Sequence, residues 1–124
     1  MAAEIKNKCA LDLPIKDFSV PTQEEMQRLI FRYINLLPYK INWYVGCIGG
    51  IGRTGLFLTC LVKVVNEIDG VCFGDPIKYI RLVYHFCAVE TKEQEDFVKN
   101  FNPTYLAKFL KKRVESRNAF IRKI

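Results

Sequence analysis

Gly46-Cys47-Ile48-Gly49-Gly50-Ile51-Gly52-Arg53-Thr54-Gly55 places a cysteine and an arginine on either side of five small or apolar residues, with a hydroxyl directly after. The glycines let the backbone curl so that successive N–H groups converge on one anion, and the apolar run after Thr54 supplies a helix whose N-terminus faces the same point. The backbones of Ile48, Gly49, Gly50, Ile51 and Gly52, together with the Arg53 side chain, are the expected phosphate-binding set. Cysteine attacks as the thiolate, and converging N–H dipoles beside a guanidinium draw a thiol pKa below its free value of about 8.5. Cys47 is therefore the expected nucleophile. Arg53 is planar and permanently charged, so it can hold two phosphoryl oxygens through a change of charge at phosphorus, which a lysine could not do with the same fork. The Thr54 hydroxyl, at the junction of loop and helix, is placed to stabilise the sulfur when a phospho-cysteine breaks down.

Working outward, residues 41–45, with Trp43 and Tyr44, read as a central strand that delivers Cys47 at its carboxyl end, where open α/β sheets bind ligands. Cys9, Leu11 and Leu13 alternate with polar or small neighbours and predict an earlier strand. Thr22-Gln23-Glu24-Glu25 is a capping box, followed by Met26, Leu29, Ile30, Tyr33, Ile34 and Leu37 as an apolar stripe at helical spacing up to Pro38. A helix over 54–68 stops at Gly70, and Asp75-Pro76 caps the next, which ends near Tyr84. Thr91-Lys92-Glu93-Gln94 is a second capping box, and Pro103 separates a final helix over 104–124.

The residues around Cys47 resemble the Cys-x5-Arg-Ser/Thr-Gly signature of the cysteine-based protein tyrosine phosphatases, and the flanks are most similar to the small, atypical dual-specificity branch. Leu13-Pro14-Ile15-Lys16-Asp17-Phe18-Ser19-Val20-Pro21-Thr22 resembles that branch's acid-bearing loop. The resemblance makes Asp17 the general acid, which the chemistry requires because an unprotonated alkoxide or phenoxide leaves poorly. Ala88-Val89-Glu90-Thr91-Lys92-Glu93-Gln94 resembles the family's Val/Ile-Glu-Thr-x-x-Gln segment and, by that resemblance, gives Gln94 a part in positioning water; capping alone also accounts for a glutamine there. The likeness runs from about residue 13 to 101. It implies an α/β fold, an abbreviated version of the phosphatase architecture with a small, mostly parallel sheet flanked by helices. Members usually carry more strands before the acid loop than the first dozen residues supply, so an exposed edge is expected that the tail helix or a second copy would cover. Two departures stand out. Gly46 replaces a histidine that helps to acidify the cysteine, and Tyr84-His85-Phe86-Cys87 replaces an arginine-proline turn. His85 is the only histidine, and a structural role is expected of it.

With 124 residues, half of them hydrophobic, the chain can bury one core. The expected organisation is a minimal catalytic domain over 1–103 and a basic amphipathic helix over 104–124. Five irregularly spaced cysteines and a polar start point to a reducing, intracellular setting, the cytoplasm, with the cysteines other than Cys47 buried and inert. One histidine and no Cys-x-x-Cys pair give no metal site, and no cofactor is expected. The longest apolar run, 56–65, is interrupted by Lys63 and too short to span a bilayer. The chain carries a net charge of +6, and the excess falls after residue 104, where Lys108, Lys111, Lys112, Arg113, Arg117, Arg122 and Lys123 are offset only by Glu115. Such a face is either solvated or a dock for an acidic partner, a membrane surface or nucleic acid, the last less favoured, and a homodimer stays open.

Three functions compete on this sequence. The first is a phosphatase for phosphotyrosine in phosphoprotein substrates, with phosphoserine and phosphothreonine as further substrates, acting through a phospho-cysteine without metal. The second is an RNA 5′-phosphatase of the same superfamily, disfavoured by Gly52 where those members carry asparagine. The third is a catalytically weak phospho-residue binding module, against which Asp17 speaks, since a pure binder needs no acid.

Overall fold

The computed structural model describes residues 2–5, 9–12, 20–36, 44–46, 52–68 and 73–122, with side chains for 20–36, 52–68 and 73–115. Two strands fill the first dozen residues, β1 (Ala2–Ile5) and β2 (Cys9–Asp12), and a third, β3 (Tyr44–Gly46), follows the first helix. Only residues 6–8 separate β1 from β2, too few for the crossover that a parallel pair needs, so the two run antiparallel, with Ile5 opposite Cys9 and Ala2 opposite Asp12. β3 pairs with the other side of β1, also antiparallel, through Ala2 to Gly46 and Glu4 to Tyr44. The order is β2-β1-β3.

These pairings correct the expected mostly parallel sheet flanked by helices. All three described strands are antiparallel and three or four residues long, and helices make up most of the described chain. They also correct the expected central strand: among the described strands β3 lies at an edge and the centre is β1, which the alternation of residues does not reveal because Ala2, Ala3 and Glu4 carry no strand pattern.

The five helices among the described residues follow the local signals closely. α1 (Gln23–Leu36) starts at the expected capping box, with Thr22 N–H donating to Glu25 Oε1 at 3.0 Å and Glu25 N–H to Thr22 Oγ1 at 3.1 Å. Its stripe buries Met26, Leu29, Ile30 and Ile34. α2 (Gly52–Asn66) is buried on more than one face, through Leu56, Phe57, Cys60 and Val64, which makes it the helix the others surround. α3 (Pro76–Val83) begins at Asp75, whose side chain accepts the N–H groups of Ile77 and Lys78, with Pro76 preset in the first turn.

α4 (Lys92–Asn100) and α5 (Thr104–Arg122) complete the core with Phe97, Val98, Phe101, Leu106, Ala107 and Leu110. Each such side chain stabilises the fold by about 1.5–3 kcal/mol relative to exposure if large and fully buried. Lys63 of α2 donates to the carbonyls of Val98 and Phe101 at 2.7 Å and of Lys99 at 3.2 Å, placing a cation on the carboxyl end of α4. Gln23 and Gln27 of α1 donate to the Phe97 and Asn102 carbonyls, so the end of α4 is fastened to two helices at once. Among the described residues no helix is long and apolar enough to cross a membrane.

Candidate functional site

β3 ends at Gly46 and α2 begins at Gly52, so the strand end and the helix start bracket residues 47–51. Cys47, Ile48, Gly49, Gly50 and Ile51 lie outside the described residues, as does Asp17. The described part of the expected site is the first turn of α2, with Gly52 and Thr54 buried and Arg53 half-buried. The first N–H groups of a helix have no partner within it, and together with the helix dipole they favour an anion there.

A second segment closes over this turn. Residues 84–91 link α3 to α4, and Ala88 and Val89 are fully buried against α2. The approach is tight: a Cβ built on Gly55 would lie 2.7 Å from Ala88 Cβ and 3.2 Å from the Val89 nitrogen. A Cβ on Gly52 would meet the Glu90 side chain, with Cδ at 2.9 Å and Cγ at 3.1 Å. Glycine at both positions is what allows the linker to lie on the helix start. The Glu90 side chain, on a residue exposed as a whole, thereby lies over the first turn of α2.

Two side chains hold the linker in place, Arg81 and Gln94. Val89 has φ of +60°, a left-handed conformation that costs a β-branched residue about 1–3 kcal/mol and persists only where surroundings impose it. Arg81 of α3 imposes it, donating through Nε to the Ala88 carbonyl at 2.9 Å and through Nη2 to the Val89 carbonyl at 2.8 Å and Glu95 Oε1 at 3.0 Å. From the other side Gln94, fully buried, accepts the Glu90 N–H on Oε1 at 2.7 Å, while its own N–H donates to Thr91 Oγ1 at 3.1 Å. The expected capping box at Thr91 is thus present, and it does more than start a helix: it fixes the backbone of Glu90.

Sequence reasoning named Gln94 in this segment and passed over Glu90. The signal lay in the two glycines at 52 and 55, one helical turn apart, which mark a face that another backbone approaches. Of the other expectations, His85 makes a turn, its Nδ1 accepting the Cys87 N–H at 3.0 Å. Cys60 is buried as expected, whereas Cys87 is exposed and corrects that reading for one thiol.

A family model described as "Swiss Army Knife protein, DSP-PTPase phosphatase domain" matches residues 3–98. Two curated relatives come from Methanocaldococcus jannaschii. The uncharacterized protein MJECL20 is 38% identical over 95 residues, which is 73% of this chain and 58% of that one. The uncharacterized protein MJ0215 is 39% identical over 92 residues, 71% of this chain and 52% of that one. The chain spans about half the length of the curated relatives it matches. No solved structure matches it.

Proposed function

The chain belongs to the DSP-PTPase phosphatase-domain family within the cysteine-based protein tyrosine phosphatase superfamily, and on that premise we propose that it hydrolyses phosphotyrosine, with phosphoserine and phosphothreonine as further substrates, through a phospho-cysteine intermediate. The observation that carries the reading is the Cys-x5-Arg-Thr-Gly stretch, which in sequence runs from the end of β3 into the buried first turn of α2, with the Glu90 side chain lying over that turn.

In the proposed reaction the Cys47 thiolate attacks phosphorus and the S–P bond forms as the P–O bond to the leaving group breaks. Asp17 gives its proton to the departing oxygen, a contribution of about 10²–10⁴-fold in rate. Arg53 and the backbone of residues 48–52 hold the three equatorial oxygens throughout. Water then attacks the phospho-cysteine, Asp17 takes a proton back, and the Thr54 hydroxyl stabilises the sulfur as it leaves. Glu90 accepts a hydrogen bond from the attacking water, and Gln94 acts through it by fixing the Glu90 N–H. No metal enters any of these steps, since the thiolate supplies the nucleophile and the guanidinium the charge.

Assay of an aryl phosphate with the wild type, Asp17→Asn and Cys47→Ser tests the reading. Cys47→Ser should abolish turnover while still binding the phosphoester, and Asp17→Asn should lower kcat. Turnover that survives in Cys47→Ser would overturn it. Release of phosphate from triphosphorylated RNA in preference to a panel of phosphopeptides would move the substrate assignment to RNA ends.

A further inference from the structure

On α1 and α5, in a region the proposed reaction does not use, two neighbouring concavities share one wall. The first, of about 420 Å³, is lined by Gln27, Arg28, Phe31 and Arg32 of α1 with Tyr105 and Leu106 of α5. The second, of about 460 Å³, is lined along α5 by Tyr105, Lys108, Phe109, Lys112 and neighbouring residues. Tyr105 is the shared wall and is 67% exposed, while Phe31 packs face to face on Phe109 at 4.6 Å and lies 6.5 Å from the Tyr105 ring, nearly parallel to it. The floor is therefore a stacked aromatic row. The charged side chains lining it are mostly of one sign, Arg28, Arg32, Lys108, Lys111 and Lys112 against Glu115, and Arg28 makes an exposed ion pair with Glu24 at 3.4 Å.

We propose that this surface docks an acidic amphipathic helix of a partner polypeptide, seating apolar side chains on either side of Tyr105 and facing its carboxylates to Arg28, Arg32, Lys108 and Lys112. Two apolar hollows divided by one ring can seat two side chains from the same face of a helix, the way amphipathic helices enter grooves. Charge complementarity selects the acidic partner, because the whole positive excess of the chain falls on the segment that forms one side of the surface. A second copy of this chain would bring the same cations against these. Stacking of successive nucleic-acid bases needs several open rings, and here Phe31 and Phe109 stack on each other and leave Tyr105 as the exposed ring of the row. A lipid surface is met by protruding apolar side chains, and here the apolar atoms are recessed apart from Tyr105. The proposal stands independently of the phosphatase reading.

Fluorescence anisotropy with the full chain and a labelled 18-residue helical peptide of glutamate, leucine and alanine in an amphipathic pattern tests it. Saturable binding should weaken about tenfold or more between low and physiological salt. Tyr105→Ala, and separately Lys108→Glu with Lys112→Glu, should each weaken it about tenfold or more while leaving hydrolysis of an aryl phosphate and the thermal melt unchanged. A scrambled peptide of equal charge should not bind. Equal binding of the scrambled peptide, no loss in the variants, or no saturable binding overturns the proposal. So does tighter, Tyr105-dependent binding of an oligouridylate or of phosphatidylserine vesicles, or sedimentation showing a dimer that Tyr105→Ala dissolves.

Discussion

The Glu90 side chain occupies the space that a side chain at position 52 would need: its Cδ lies 2.9 Å and its Cγ 3.1 Å from where a Gly52 Cβ would stand. The obstacle is the outer part of an exposed, flexible residue, so the fold can absorb a methyl group there by turning Glu90 aside. Gly52→Ala should therefore leave the urea midpoint close to that of the wild type. Turnover of an aryl phosphate should fall by about 10- to 100-fold, the scale of an ångström's misplacement in an active site. Glu90→Ala should fall by a similar factor, and the double variant should be no worse than either, because both remove the same carboxylate from the same place. Full additivity of the two losses in kcat would separate Glu90 from Gly52.

Gly55 meets a different neighbour. Its missing Cβ would press on Ala88 Cβ and on the Val89 nitrogen, and backbone cannot turn aside. Gly55→Ala gains up to about 1 kcal/mol of helix propensity but incurs an overpacking cost of about 1–3 kcal/mol. The net expectation is destabilisation, visible as a lower midpoint in urea, in contrast to Gly52→Ala. An unchanged or raised midpoint would show that the linker sits farther from α2.

Arg81 carries the linker from below. Removing it leaves the Ala88 and Val89 carbonyls without their donor and lets Val89 relax from φ of +60°. Arg81→Ala should cost about 2–3 kcal/mol, since hydrogen bonds to a charged donor contribute about 1.5–3 kcal/mol each and the two are not additive. Glu95→Ala should cost less than about 1 kcal/mol, because that ion pair is about one third exposed on both sides, at 36% and 35%. Arg81→Lys keeps the charge without the fork and should fall between the two in denaturant unfolding.

The contrast between these sites shows what sequence can carry. Thr22 with Glu25, Asp75 with Pro76 and Thr91 with Gln94 are contacts within a few residues, and all three caps stand where the residues put them. The α1 stripe is equally local, because helical period alone decides which residues share a face. Strand direction is not local. Glu4 pairs with Ala10 on one side and with Tyr44 on the other, and nothing within Ala2–Ile5 announces either partner, so the resemblance supplied a mostly parallel sheet that the pairings correct. Glu90 was hidden for the same reason: its position depends on Gly52, Arg81 and the left-handed Val89, which meet only in the folded chain. Cys47 and Asp17 remain readings of the sequence and the family.

Acid should weaken the start of α1 in a defined window. The Thr22 backbone N–H, and secondarily its hydroxyl, hold the Glu25 carboxyl below its ordinary value of 4.5. A carboxyl with a depressed folded-state pKa contributes stability that is fully present above the unfolded value and is lost as pH falls through the folded one. The stability gap between wild type and Glu25→Ala should therefore be constant from neutrality down to about pH 5 and close below 4.5. Urea unfolding at a series of pH values measures it, and a gap that widens on acidification would contradict the capping-box contact.

The thiols of Cys60 and Cys87 should separate cleanly on alkylation. Burial pushes the Cys60 thiol far above its usual range, and the positive charge of Lys63 offsets this only in part. Only the thiolate reacts, so two barriers protect Cys60: it is fully buried, and at neutral pH it is protonated. Cys87 lies exposed in the linker and lacks the barrier of burial. Iodoacetamide applied to the native chain, followed by peptide mass analysis, should mark Cys87 and spare Cys60, and both should be marked in denaturant. Marking of Cys60 at the rate of Cys87 would mean that α2 opens as readily as the linker. That opening would also free Lys63 from the Val98 and Phe101 carbonyls, so faster amide exchange at the end of α4 should accompany it.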